Sequence, residues 1–181
     1  GELFYNGSSG AFQFLGLATG AWSTGGNLNA TRQQSANGTT GIQTAGIASG
    51  GIASSTRYGR TEQYNGSAWT EVNDLNTVRS GLASCATSYT ALVVAGGNTP
   101  PLRAFTESFD GSSWTEVNDL NEAVGGNSGG GSQTAGFMVY HNQHELWDGS
   151  SWTETTELNT ARTHLASVGT TTAILSFGGE N

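Results

Sequence analysis

Apolar and aromatic residues recur along this chain at fixed spacing, between short polar turns. Small and β-branched residues run from Ser80 to Ala86 and again from Thr163 to Val168. A polar turn follows each run, and then a second apolar run, Tyr89 to Ala95 or Thr172 to Phe177. Such short runs bounded by Gly, Asn, Asp and Ser predict strands, and nothing in the pattern has the period of a helix. The second run closes on a glycine pair, Gly50-Gly51, Gly96-Gly97 or Gly178-Gly179, replaced once by Tyr140-His141. A third segment then carries an acid followed by an aromatic: Glu62 and Tyr64, Glu107 and Phe109, Glu145 and Trp147. It ends in Asn65-Gly66-Ser67, Asp110-Gly111-Ser112 or Asp148-Gly149-Ser150, turn residues that accept positive φ and predict a tight hairpin.

A tryptophan starts the fourth segment, at Trp22, Trp69, Trp114 and Trp152. Each is followed at a constant interval by Leu-Asn (Leu28-Asn29, Leu75-Asn76, Leu120-Asn121, Leu158-Asn159), and then by Arg32, Arg79 or Arg162, with Val124 in the third copy. The tryptophans recur at intervals of 47, 45 and 38 residues, the size of one four-stranded propeller blade. Blade-like repeats fall at approximately 30–70, 77–115 and 122–153, with a fourth made of 160–181 together with 1–23. That fourth assignment comes from laying Phe177-Gly178-Gly179-Glu180-Asn181 and Gly1-Glu2-Leu3-Phe4-Tyr5-Asn6-Gly7-Ser8 end to end. The joined segment matches His141 to Ser150 with one extra residue near Tyr5. The expected fold is therefore all-β, one domain, a small propeller of four blades of four antiparallel strands, closed by pairing N- and C-terminal strands in one blade. Partial blades that complete one another between chains are the alternative. Gly10 to Ala21, with Phe12, Phe14, Leu15 and Leu17, interrupts the pattern, either as an extended hairpin on its own blade or as an exposed apolar patch for a partner.

The order Arg, Gly pair, aromatic, Trp resembles the kelch repeat across nearly the whole chain. The phrases Leu-Asn-Thr-Ala-Arg, Ser-Gln-Thr-Ala-Gly and Asp-Gly-Ser-Ser-Trp-Thr also look like the degenerate kelch-like arrays of marine bacteriophage structural proteins. The first resemblance implies a propeller whose strand-two-to-three loops share a face with the strand-four-to-one connectors. The second implies a structural protein at an extracellular or virion surface.

Composition agrees with this reading. The 181 residues include 28 Gly and 35% apolar residues, and lysine is absent. The net charge of −8 and six arginines argue against a nucleic-acid partner, which needs a basic face, and against anionic membranes. Acidity also keeps a Gly-rich β-protein soluble. No apolar run is long enough for a membrane span. Gly1 begins the chain without a signal-peptide pattern, which reads as a processed product or a portion of something longer. Cys85, alone among small residues, reads as a buried strand position.

The candidate chemistry is that of binding. Arg57, Tyr58 and Arg60 cluster in one long strand-two-to-three loop, and Pro100, Pro101 and Arg103 stiffen and charge another. With Asn76, Asn121 and Asn159 they form the candidate binding face, for a glycan or protein partner. Arg32, Arg79 and Arg162 either support the fold by pairing with repeated acids or ring the central channel to bind an anion. Trp22, Trp69, Trp114 and Trp152 either pack between blades or stack on sugars. His141 and His144 lack companion metal ligands, no nucleophile motif or phosphate loop is present, and no cofactor is expected. Sequons at Asn6, Asn29, Asn37 and Asn65 coincide in part with hairpin turns. The functional expectation is a non-enzymatic binding or structural module, with homo-oligomerisation or larger assembly open. A soluble lectin-like propeller with one sugar site per blade is the second reading, and an oxidase- or glycosidase-type propeller enzyme the third.

Overall fold

The computed structural model describes residues 2–6, 11–15, 25–39, 44–126 and 128–180. Among them there is no helix. Three four-stranded antiparallel sheets follow one another along the chain. The first is β3 (Ala36–Thr39), β4 (Gly46–Ser49), β7 (Thr61–Tyr64) and β8 (Trp69–Val72). The second is β9 (Ala83–Ser88), β10 (Ala91–Ala95), β11 (Thr106–Phe109) and β12 (Trp114–Val117). The third is β13 (Ser128–Gly131), β14 (Gly136–Tyr140), β15 (Gln143–Trp147) and β16 (Trp152–Glu154). A small hairpin, β5 (Ile52–Ala53) with β6 (Thr56–Arg57), decorates the first sheet. The four-strand repeat read from the sequence is thus present three times, with some boundaries shifted inward. Strand one of the second repeat begins at Ala83 rather than Ser80: Ser80 forms an isolated bridge with Asn98, and Gly81, at φ 66°, turns the chain between that bridge and β9.

The registers are equivalent. Ala48 lies opposite Glu62, Val94 opposite Glu107 and Met138 opposite Glu145. Side chains alternate across each central strand, as a pleated strand requires. Leu92 and Val94 pack back on Ile47 and Ala36 of the first sheet, whereas Val93 and Ala95 pack forward on Met138 and Tyr140 of the third. Cys85 lies in that forward cluster as a fully buried thiol, pushed up to about 12 by burial. Each first strand lies against the next: β3 on β9, β9 on β13, and β13 on β17 (Thr163–Thr170).

The fourth repeat is different. β17 pairs with β18 (Ala173–Glu180) in a two-stranded sheet, and β1 (Glu2–Asn6) pairs with β2 (Ala11–Leu15) in another. The expected join between the terminal strands is not among the strand pairs of the described residues. β18 also runs through Gly178-Gly179 instead of stopping there. Leu175 and Phe177 are consequently 62% and 53% exposed, while their equivalents Val93 and Ala95 are fully buried. Of the interrupting segment, Gly10 and residues 16–21 lie outside the described residues, and so does Trp22.

The hairpin turns also differ in detail. Only the glycine takes positive φ, 96° at Gly66, 99° at Gly111 and 97° at Gly149. The residue before it acts through its side chain. Asp110 Oδ1 accepts from the amides of Ser113 (2.7 Å) and Ser112 (2.8 Å), and Asp148 repeats this with Ser151 and Ser150. These amides, with the serine hydroxyls, hold both carboxyls down at about 2, against 3.8 for a free aspartate. A depressed folded-state value means that the contribution is complete above 3.8 and is lost as pH falls through about 2. An NMR titration should give Asp110 and Asp148 midpoints near 2, with both hairpins loosening only in that range. Asp110→Asn and Asp148→Asn should remove the acid-side loss.

Candidate functional site

The repeated side chains sort into a buried frame and an exposed face. Arg79 enters the second sheet and is fully buried. Its Nη1 donates to the carbonyls of Gly96 (2.7 Å) and Phe105 (2.6 Å), and its Nη2 to Glu107 Oε1 (2.7 Å). Arg32 does the same in the first sheet, to the Arg60 carbonyl (2.6 Å) and Glu62 Oε1 (2.6 Å). Burial pushes both guanidinium groups below their ordinary value, and the facing glutamate opposes that shift. Both side chains of each pair are almost fully shielded. Arg32 and Arg79 therefore do not form an anion-binding ring.

The third sheet, which has Val124 in place of the arginine, meets the same demand differently. Tyr140, standing where the other repeats have the first glycine of the pair, donates its hydroxyl to Glu145 Oε1. His141 takes the second glycine's place with φ 50°. The two departures from the pattern thus belong together: losing the arginine leaves a buried carboxylate, and the tyrosine supplies the donor. The fourth arginine, Arg162, is exposed and donates to the Gly178 carbonyl (2.9 Å).

The connector asparagines belong to the same frame. The Asn29 amide donates to Glu62, that of Asn76 to Glu107 and that of Asn121 to Glu145. Their side-chain amides donate to the carbonyls of Trp69, Trp114 and Trp152. Asn76 and Asn121, read from sequence as binding residues, are thereby engaged in holding each connector to the sheet it enters. Asn159 is exposed, beside a hollow of about 290 Å³ shared with Arg162 and Phe177. The tryptophans pack between sheets: Trp114 Nε1 donates to Thr61 Oγ1 (3.1 Å) and Trp152 Nε1 to Thr106 Oγ1 (3.0 Å) of the preceding sheet. Trp69 is half-buried, with Nε1 on the Gly26 carbonyl.

The loops and connectors do share one face. Leu75 N donates to Gly59 O, Leu120 N to Ala104 O and Leu158 N to Asn142 O, which ties each strand-four-to-one connector to a strand-two-to-three loop. Arg57, Tyr58, Arg60 and Arg103 lie here, half-buried. The Arg60 guanidinium sits 5.0 Å above the Tyr58 ring, and that of Arg103 5.5 Å from Phe105. They flank the centre of the face without lining it.

The centre is built by four residues at one repeat position, Gln34, Gly81, Gly126 and His164, each two places after Arg32, Arg79, Val124 or Arg162. All four have positive φ, between 50° and 75°, namely 56°, 66°, 73° and 57°. Gly81 N donates to Gln34 O (2.8 Å) and Gly126 N to Gly81 O (3.0 Å), so successive connectors are bonded one to the next. They border an open hollow of about 500 Å³ lined by Gln34, Ser35, Ser80, Asn98, Leu102 and His164 among others. Asn98 Oδ1 is buried there without a partner among the described residues. Sequence reasoning did not single out Gln34, Ser80 or Asn98. The signal was the repeat position two places beyond the arginine, whose identity varies while its backbone conformation does not.

Among the described residues no three or more His, Cys, Asp or Glu side chains are grouped to hold a metal ion. His141 is exposed at its turn, and His144 is half-buried with Nδ1 on Thr155 Oγ1 (2.8 Å), its pKa lowered by burial. No protein-family model and no curated protein matches the chain.

Removing one partner of a buried pair strands the other charge. Arg79→Ala should cost about 3–5 kcal/mol in urea unfolding. Tyr140→Phe, which leaves Glu145 short of one donor, should cost about 1–3 kcal/mol.

Proposed function

We propose that the chain is a non-enzymatic recognition module, a four-bladed kelch-like propeller at a virion or cell surface, whose axial cavity takes a neutral glycan. The closing of its terminal strands in one blade is part of this reading. The observation that carries it is the cavity's lining. Gln34, Ser35, Ser80 and Asn98 offer uncharged donors and acceptors, and Asn98 Oδ1 is an acceptor awaiting a donor. Leu102 adds an apolar surface to the same cavity. Neutral hydrogen-bonding groups beside an apolar face suit a sugar, which presents hydroxyls around its rim and C–H groups on its faces. The net charge of −8 favours a neutral over an anionic ligand.

Two features separate this from the alternatives. The cavity is lined by residues of all four repeats, so one site per molecule at this face is favoured over one per blade. Cys85, the sole thiol, is buried and its thiol pushed up to about 12, which removes it as a nucleophile. A protein ligand on the flanking loops (Arg57, Tyr58, Arg60, Arg103) is the second reading, favoured by their half-exposed cation–aromatic pairs.

Screening against an array of neutral and anionic oligosaccharides should give binding to neutral members. Asn98→Ala should weaken that binding about 5- to 20-fold by calorimetry, the effect of one buried hydrogen bond, with unchanged thermal stability. Absence of any saccharide ligand, with a protein partner lost on Arg60→Ala, would replace the first reading with the second.

A further inference from the structure

Asn-Gly pairs stand in the sequence at Asn6, Asn37 and Asn65. Gly7 lies outside the described residues, and the structure sets the other two pairs apart. Asn65 and Gly66 are exposed in the hairpin turn beyond the last ladder pair of the first sheet, Tyr64 with Trp69. Asn37 lies within β3, opposite Ala48 of β4, and Gly38 lies opposite Ile47.

The turn arranges Asn65 for one reaction. Its side-chain Oδ1 accepts from the amides of Ser67 (3.0 Å) and Ala68 (3.0 Å) and from the Ser67 hydroxyl (2.9 Å). Three donors on one amide oxygen form a small oxyanion hole, because negative charge developing on that oxygen strengthens every bond to it. The Gly66 amide donates to no carbonyl among the described residues, and glycine brings no side chain to block its approach to Cγ of Asn65. Asn37 is held differently. Among the described residues its Oδ1 accepts from one group, the Ser35 hydroxyl (3.2 Å), while its Nδ2 donates to the Ser35 carbonyl (3.2 Å) and its own carbonyl accepts from Ser84 Oγ (2.8 Å). Closing a ring there has to turn the backbone of a paired strand.

We propose that Asn65 is a site of deamidation and that the turn directs the product to aspartate. The Gly66 nitrogen bonds to Cγ, the Cγ–Nδ2 bond breaks, and the Gly66 amide proton leaves with Nδ2 as ammonia. Water then opens the cyclic imide. Addition at Cγ gives aspartate, and addition at the backbone carbonyl gives isoaspartate, in which the chain runs through the side chain. Aspartate is the product this turn holds. Asp110 and Asp148 stand at the same place in the next two sheets and accept from the same amides and serine hydroxyls. Isoaspartate adds a carbon to the backbone and withdraws the oxygen from its three donors. The change adds one negative charge to a chain already at −8, and it makes the hairpin turns of the three complete sheets alike.

The test is to incubate the full chain at neutral pH and body temperature, beside the free peptide Gln63–Thr70. Asn65 and Asn37 are followed by peptide mapping with fragmentation that separates aspartate from isoaspartate. Asn65 should convert while Asn37 stays intact, with aspartate as the main product where the free peptide gives mainly isoaspartate. Ser67→Ala, which removes one of the three donors, should slow the conversion about 2- to 10-fold, the worth of one hydrogen bond. Conversion of Asn37 as fast as Asn65, or survival of Asn65 while the free peptide converts, overturns the proposal. Isoaspartate as the main product overturns its direction, and an unchanged or faster rate in Ser67→Ala removes the oxyanion role. Asn65→Asp, the product made directly, should keep the parent's unfolding midpoint at neutral pH, and its new carboxyl should titrate alongside Asp110 and Asp148. A carboxyl that titrates there as a free aspartate would show that the turn does not hold the product.

Discussion

One buried carboxylate per sheet holds this molecule in shape. Glu62, Glu107 and Glu145 lie on the third strands, sealed from solvent, and an isolated charge there is untenable. Each must gather donors, and it gathers them from two parts of the chain at once. An arginine or tyrosine reaches it from within the same sheet, and a backbone amide reaches it from the connector arriving from the sheet before. The carboxylate therefore fixes how one sheet follows the next. The middle strands then pack on both faces, the tryptophans bridge sheets through threonine hydroxyls, and each first strand lies against the next.

The third sheet shows that the constraint is the satisfied carboxylate and not the arginine. Val124 removes the guanidinium and Tyr140 brings a hydroxyl to the same oxygen. Reading the two changes separately suggests a decayed repeat. Read together they are one solution exchanged for another, and they keep Glu145 fully buried. The fourth repeat keeps the arginine, Arg162, with no buried carboxylate beside it among the described residues, and there the apolar side chains of β18 lie open.

Much of this was legible in the sequence because the repeat is carried by residues with narrow tolerances. Trp, Asn, Arg, Glu and the glycine pairs recur at intervals that set the sheets, their order and their strand count. Sequence left two readings of Arg32 and Arg79 open, since a recurring arginine serves a frame or a ring equally well. Burial beside Glu62 and Glu107 decides it. The cavity among the connectors was not legible for a different reason. Its four corner positions share a left-handed backbone and not a residue type, so Gln34, Gly81, Gly126 and His164 do not read as one motif. The turn aspartates were located correctly, but their role is to accept amide hydrogens, and glycine alone adopts the positive φ.

The most direct test of the central role of these carboxylates is native-state hydrogen exchange at three amides, those of Asn29, Asn76 and Asn121. All three residues are exposed and lie in connectors, where amides ordinarily exchange fast. Donation to a buried glutamate predicts that all three exchange as slowly as the amides of β10 and β14. Rapid exchange, at the rate of neighbouring loop amides, would show that the carboxylates do not hold the connectors and that the sheets are ordered by side-chain packing alone.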